Sequence, residues 1–406
     1  MPDMFLSPYR VLDVTGPLGF LAGRILADLG ADVIKVEAPG GDLSRRWPPV
    51  HEHHGGRQSL YWLAFNANKR GITLDLEAAN GRFVLRELVR SADVLVESFP
   101  PGYLAQHQLG YEQLHHENPR LVFVSITPYG QNGGHSGYPA SDIEIMAASG
   151  AMSLAGEADG EPMRVSVPQA AQWAGSEAAM GALTALVYRT QSGRGQWVDV
   201  SAQAAVLAAL AHAPVFWDLN RVNPERAGVY ITGRSVSGAR MRAFWPCQDG
   251  WINFIVYGGS AGRHTNQQLV AWMEERGMGA DALRRIDWRR FTVPELTQEQ
   301  VDAIEAPIGA FLATLTKQEF LEEAMARQML GYPVSSAEDI HRDPQLDARA
   351  FWQQVGGGRP GGAIRYPGGF AVVDGERLPI RRPAPEVGEH NDEVYGHLVH
   401  DSPTVV

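Results

Sequence analysis

The sequence predicts an α/β protein built on a doubly wound parallel sheet. Two observations carry that expectation. Short apolar runs alternate with stretches of helical period through the first third of the chain, the pattern of strands joined by crossover helices. The chain has 406 residues, 44% of them hydrophobic. That suffices for a large core in more than one domain, because single cores stop growing near about 250–300 residues.

The elements follow in order. RVLDV (10–14) reads as a short buried strand. LAGRILADLG (21–30) has apolar residues at helical spacing and stops on Gly30. ADVIKVE (31–37) is the next strand, broken by APGGD (38–42). GITLDL (71–76) is strand-like, GRFVLRELVRSA (81–92) helical, DVLVESF (93–99) a strand. LVFVSITPYG (121–130) is a strand leading into a glycine-rich loop. Ligands of doubly wound sheets sit at the carboxyl ends of the strands, so the loops after Glu37, Val96 and Ser125 are the places for chemistry. Residues 176–215 are alanine-rich and helical, interrupted by SGRGQWVDVS (192–201). Residues 220–245 lose hydrophobic periodicity and read as a linker. A second unit follows with a strand in WINFIVYGG, a helix in LVAWMEERG and an amphipathic helix over 307–328. Residues 356–389 are rich in Gly, Pro and Arg. No internal repeat or low-complexity tract is present.

Composition excludes several function classes. A net charge of −11 argues against duplex nucleic acid, whose binding needs a basic surface. A single cysteine, Cys247, excludes an internal disulfide and a cysteine-based zinc cluster, and fits a reducing cytoplasm. Cys247 reads as a small buried thiol between two strands. The first residues lack the basic and apolar segments of a signal peptide. The weakly polar stretch 201–217 contains Gln203, His212 and Pro214 and reads as a buried helix, with no membrane partner.

Each candidate constellation has a plain structural reading. APGGD lacks the spacing of a phosphate loop and reads as a turn, with Arg45 and Arg46 behind it as possible anion contacts. Lys69 and Arg70 stand at a strand entry, where cations hold either phosphates or solvent. HEHH (51–54) does not fix its imidazoles on one side and reads as a surface loop, not a metal site. Asp142, after the loop GQNGGHSGYPASD, reads as a helix N-cap. His135 in that loop has no partner visible in sequence. Trp173 and Trp217 read as core residues.

Six segments in order resemble the class III CoA transferases, from GPLGFLAGRILADLGADVIKVEAPGGD through NANKRGITLDL, SADVLVESFPPGYL and ALTALVYRTQSGRGQWVDVS to GYPVSSAEDIHRDPQLDARAFW and VGEHNDEVY. The resemblance runs nearly end to end and includes the formyl-CoA, carnitine-type and α-methylacyl-CoA racemase branches. It implies a Rossmann-like large domain from residues 1–220 and 331–406, a smaller α/β domain over 221–330, and two subunits threaded as interlocked rings. It also implies a mechanism in which a carboxylate attacks an acyl-CoA thioester, forming a mixed anhydride and then an aspartyl-CoA thioester.

Matching Gly175 and Gly181 to the family's glycines puts Ala171 where that nucleophilic aspartate stands, and residues 163–176 contain no acid. The racemase His–Asp pair is Ser141–Asp142 here. For coenzyme A the resemblance implies Phe99 against the adenine, with Ser98, Leu74, Lys69, Arg70 and Arg45 around it. Gln106 and Ala38 replace arginines that the family often uses for phosphate. The expected function is a transferase subunit without catalytic residues of its own. It would pair with a homologous aspartate-bearing subunit to move CoA between an acyl-CoA, such as succinyl-CoA, and a carboxylic acid. CoA is then a substrate, and no cofactor is permanently bound. Two alternatives are a different acyl-CoA chemistry, isomerase or lyase, using Asp142, Glu144 or Glu177, and a non-enzymatic scaffold subunit.

Overall fold

The computed structural model describes residues 4–53, 56–232, 237–356 and 362–400. His54 of HEHH, residues 233–236 of the expected linker and 357–361 of the Gly-rich tail lie outside the described residues. The chain divides into two units. One comprises Met1–Met152, Arg164–Val222 and Pro344–Val406, the other Ser153–Met163 and Asn223–Asp343.

The first unit is organised on six strands, β1 (Arg10–Val14), β2 (Asp32–Glu37), β3 (Arg70–Thr73), β4 (Val94–Glu97), β5 (Val122–Thr127) and β6 (Trp197–Ser201). They pair in parallel in the order β3-β2-β1-β4-β5-β6. The order reverses direction at β1 and β4, the arrangement that opens a crevice at the strands' carboxyl ends. Adjacent strand residues point to opposite faces, and both faces are buried. Val94 and Val96 join one core, Leu95 the other, and β5 likewise sends Val122, Val124 and Ile126 one way and Phe123 the other. That is why these strands read as unbroken apolar runs.

On the first face pack α1 (Phe20–Asp28) and α7 (Ala170–Ser192), with α2 (Leu60–Asn66) beside α1. On the second pack α3 (Ala79–Val89), α5 (Tyr111–Glu117) and the C-terminal α13 (Asn391–His400). The alanines of α7 are explained by closeness. Ala170, Ala174, Ala178 and Ala182 recur every fourth residue on the buried side. A Cβ on Gly175 would lie 2.8 Å from Leu21 Cβ, so only glycine lets the two helices meet here. The tail returns through Asn391, whose side chain accepts from Thr73 N–H at 2.9 Å and donates to Thr73 Oγ1 at 3.0 Å.

In its secondary structure and core this unit departs from the sequence expectations as follows. SGRGQWVDVS supplies an edge strand, β6, where a break between helices was expected. The stretch 201–217 forms two helices, α8 (Ala202–Ala209) and α9 (His212–Asn220), bent by 72°, and α9 has no buried residue. Trp173 and Trp217 are 44% and 45% exposed, on outward faces of α7 and α9, not in the core. Among the described residues no single helix is long and apolar enough to cross a membrane, although the bent α8–α9 pair passes by length and composition.

The second unit has a three-stranded antiparallel sheet, β7 (Phe244–Cys247), β8 (Gly250–Asn253) and β9 (Tyr332–Pro333), with α10 (Gly259–Glu275), α11 (Gln298–Leu312) and α12 (Lys317–Ala326). Its core is aromatic: Trp272 meets Phe311 edge-on at 4.9 Å. The single helix expected over 307–328 is two, because Thr316 and Glu319 form a capping box that starts α12 afresh. The expected linker contains a short pairing of Tyr230–Ile231 with Met241–Arg242. Cys247 is half-buried at the end of β7, not enclosed, with Sγ 3.5 Å from Asp249 Oδ1.

Candidate active site

The carboxyl ends of β1, β2 and β4 carry the polar groups that shape the crevice of the first unit. Beneath them lies a buried charge cluster. Asp13, at the end of β1, receives Lys69 Nζ at 2.7 Å and stands 3.6 Å from Lys35 Nζ. All three side chains are fully buried. Burial alone would raise the Asp13 carboxyl, but Lys35 and Lys69 outweigh it and hold the group below its ordinary range. Burial likewise pulls the Lys69 ammonium down to about 8, against the attraction of Asp13. Lys35 Nζ donates to the carbonyls of Asp13, Thr15 and Val36, and Asp13 Oδ1 accepts from Thr15 N–H and Oγ1. The cluster thereby fixes the loop that follows β1.

That loop is tied across the crevice to the loop after β4, where Gly16 N–H donates to Ser98 Oγ at 2.7 Å. The next residue, Phe99, donates its N–H to Glu97 Oε2 at 2.7 Å. Glu97 is buried at the end of β4, and its carboxyl is pushed up to about 7 by burial, with Asp199 adding to the effect. Phe99 stacks on Tyr103 at 4.6 Å, at the start of α4 (Tyr103–Gln106). Phe99 and Tyr103 pack against the same core cluster that contains Leu74. Phe99 and Leu74 therefore belong to one side of the sheet's carboxyl edge.

The three expected phosphate cations are placed differently. The donors of Lys69 are taken by Asp13, Phe20 O and Asn66 Oδ1. The geometry needs that ammonium as the counterion of Asp13. Arg45 forks onto Glu37 with two bonds of 2.7 Å and lies 3.8 Å over the Trp62 ring. Arg70 forks onto Asp32 at 2.9 and 2.6 Å and reaches Glu393. Each thus serves a carboxylate of the fold.

Ala171 is buried in the first turn of α7. Helix starts expose unpaired N–H groups that attract negative charge. Here Asp142 fills that role, its Oδ1 accepting from Gln169 N–H and Ala170 N–H, both at 2.7 Å. Asp142 is thus not the N-cap of its own helix, α6 (Asp142–Ala148). Ser141 is, in a capping box with Glu144. The bonds from Ser141 hold the Glu144 carboxyl below its usual range. Glu177 stands on α7 at a surface groove of about 540 Å³ with Met180, Trp197 and Asp199. His135 has partners the sequence did not reveal, Tyr138 at 5.1 Å and Tyr129 at 5.9 Å. Among the described residues no group of His, Cys, Asp or Glu is arranged to hold a metal ion.

Residues 6–391 match the model of CoA-transferase family III. The chain is 37% identical to succinyl-CoA:(R)-benzylsuccinate CoA-transferase subunit BbsE of Thauera aromatica, over 96% of this chain and 93% of that protein. It is 32% identical to succinate–glutarate CoA-transferase of Agrobacterium fabrum, over 97% and 95%. Its fold is similar to the crystal structure of a CAIB/BAIF family protein from Brucella suis, with a TM-score of 0.82 and 26% identity, over 98% of this chain and all of that one. A parallel sheet with a reversing strand order, a tied crevice at its carboxyl edge and these three likenesses together make the chain a member of CoA-transferase family III.

Proposed function

We propose that this chain is the subunit of a heteromeric class III CoA transferase that lacks the nucleophile, and that a homologous chain carries the aspartate. The reaction is transfer of CoA between an acyl-CoA, such as succinyl-CoA, and a carboxylic acid. The observation that carries the reading is the first turn of α7. Ala171 offers no nucleophile, residues 163–176 contain no acid, and the carboxylate at the start of α7, Asp142, accepts from two backbone N–H groups through Oδ1. Attack on a thioester needs an oxygen with a free lone pair aimed at the carbonyl carbon. A carboxylate already accepting two charge-assisted bonds at a helix start is a poorer nucleophile. The likeness to a protein described as a transferase subunit supports the same reading.

A partner also has a surface to cover. Trp173, Met180 and Tyr188 on α7, and Phe216, Trp217 and Leu219 on α9, are each between 44% and 75% exposed. Apolar exposure on that scale marks an interaction face. In our reading the homologous subunit covers it, in the interlocked manner the family resemblance implies. The test is co-purification. An affinity-tagged copy of this chain, co-expressed with an aspartate-bearing homologue from the same source, should retain it in equal amount. Recovery of this chain only as a stable homodimer would sink the proposal.

A further inference from the structure

The second unit holds a groove of about 560 Å³ made of its own residues alone. That size falls within the range of small-molecule sites, about 300–1,000 Å³. One wall comes from the short pairing of Tyr230–Ile231 with Met241–Arg242. Side chains alternate along extended chain, so Met241 enters the core while Arg240 and Arg242 stay outside it. Arg242 is the cross-strand partner of Tyr230. Its guanidinium lies 5.8 Å from the Tyr230 ring and 5.4 Å from the Trp245 ring, and that of Arg240 lies 5.1 Å from Tyr230. The opposite wall is α11. Ala306, Gly309 and Ala310, three and four residues apart, form a strip of small side chains along it. Trp245 is buried against that helix, its Nε1 donating to Phe254 O at 2.7 Å. A Cβ on Gly309 would lie 2.9 Å from Trp245 Cζ3, so glycine lets ring and helix meet. The result is a flat apolar surface held in one position.

The charges of the groove are unevenly matched. Arg242 donates through Nε to Phe244 O at 2.9 Å, which anchors the guanidinium and keeps its other donors for a ligand. The Arg240 guanidinium has no hydrogen bond or ion pair among the described residues. The two acids of the lining are engaged elsewhere. Glu305 Oε1 accepts from Arg242 N–H at 2.7 Å, and Asp302 Oδ1 from Gln298 Nε2 at 2.8 Å. Burial pushes the Glu305 carboxyl up to about 7, with Asp302 adding to the effect, so near neutral pH much of its charge is gone. Two guanidiniums gathered at one tyrosine ring repel each other, and an anion held by both turns that repulsion into attraction. Asp302 disfavours a dianion, whereas a single carboxylate matches the guanidinium fork.

We infer that this groove is a binding site for an organic carboxylate with a flat apolar body, whose charged end lies on Arg240 and Arg242 and whose body lies on the small-residue strip of α11. The inference does not depend on the chain's being a transferase subunit, because it draws on no residue of the first unit.

The test is calorimetry of the full chain with phenylacetate, with its uncharged amide, and with acetate and inorganic phosphate. Phenylacetate should bind, and about tenfold or more tightly than the amide, the effect of one charge-assisted contact. Arg240→Gln and Arg242→Gln should each weaken it by a similar factor. Ala310→Phe, at an exposed position of the strip, should exclude the body while leaving both charges in place. Should Arg242→Gln fail to fold, Arg240→Gln decides, because that guanidinium supports no other group. Absence of phenylacetate binding, equal binding of the amide, or binding unchanged by Arg240→Gln overturns the inference. Equal binding of acetate or inorganic phosphate would make the groove a general anion site and overturn the assignment of a flat-bodied acid.

Discussion

Replacing Asp13 by Asn removes the only carboxylate of the cluster and leaves Lys35 and Lys69 facing each other in the dry interior. At an effective dielectric of about 20, the pairs at 2.7 and 3.6 Å represent gross attractions of about 6 and 5 kcal/mol. Burying the three charges cancels most of that. Breaking a buried pair by removing one partner costs about 3–5 kcal/mol, because the other charge stays behind uncompensated. We expect Asp13→Asn to lose that amount in urea unfolding, a large share of a domain's total of about 5–15 kcal/mol. The pH dependence has a definite sign. The folded carboxyl lies below its unfolded value. Its contribution is therefore fully present above the unfolded value of about 3.9 and is lost as pH falls through the folded one. The two proteins should converge in stability in that acid range and differ fully at neutral pH. A neutral-pH loss below about 1 kcal/mol would refute the claim that this cluster is an interdependent buried unit.

Two further outcomes follow from the same edge of the sheet and from α7. Glu97 is the opposite case from Asp13, because its folded carboxyl is raised to about 7. Between about pH 4.5 and 7 the folded state holds a proton that the unfolded chain releases, so stability falls as pH rises through that window, by ~3 kcal/mol. Glu97→Gln keeps an acceptor for Phe99 N–H without the charge. Its melting temperature should gain on the wild type as pH rises from 5 to 8, and parallel profiles would contradict the assignment. Gly175→Val places methyl groups where even a Cβ meets Leu21 at 2.8 Å. It should cost about 1–3 kcal/mol by chemical denaturation, through overpacking of α1 against α7.

Much of the sheet was legible in the sequence because its strands are buried on both faces, which leaves runs such as Val94–Leu95–Val96. Strand β6 was not, because it is an edge strand. Its residues are partly exposed, and Trp-Val-Asp-Val-Ser mixes polar with apolar positions. The helix of 307–328 was read as continuous because its apolar spacing nearly survives the break, while the stop is written only in the Thr316–Glu319 capping box. The charge cluster is not legible in the sequence for a different reason. Asp13, Lys35 and Lys69 are 22 and 34 residues apart in turn and meet only when β1, β2 and the entry to β3 align. Charge beside a strand entry looks the same whether it is solvated, bound to phosphate or buried against an acid. Asp142 was recognisable as a capping residue, but the helix it serves starts 28 residues later, which no local pattern reveals.

We expect this chain to supply no nucleophile of its own. The most direct test is turnover of succinyl-CoA with a carboxylic acid acceptor by the purified chain, alone and after assembly with its aspartate-bearing homologue. We expect no CoA transfer by the chain alone and full transfer by the assembly, abolished when the homologue's aspartate is replaced by alanine. Full transferase turnover by this chain alone would contradict it.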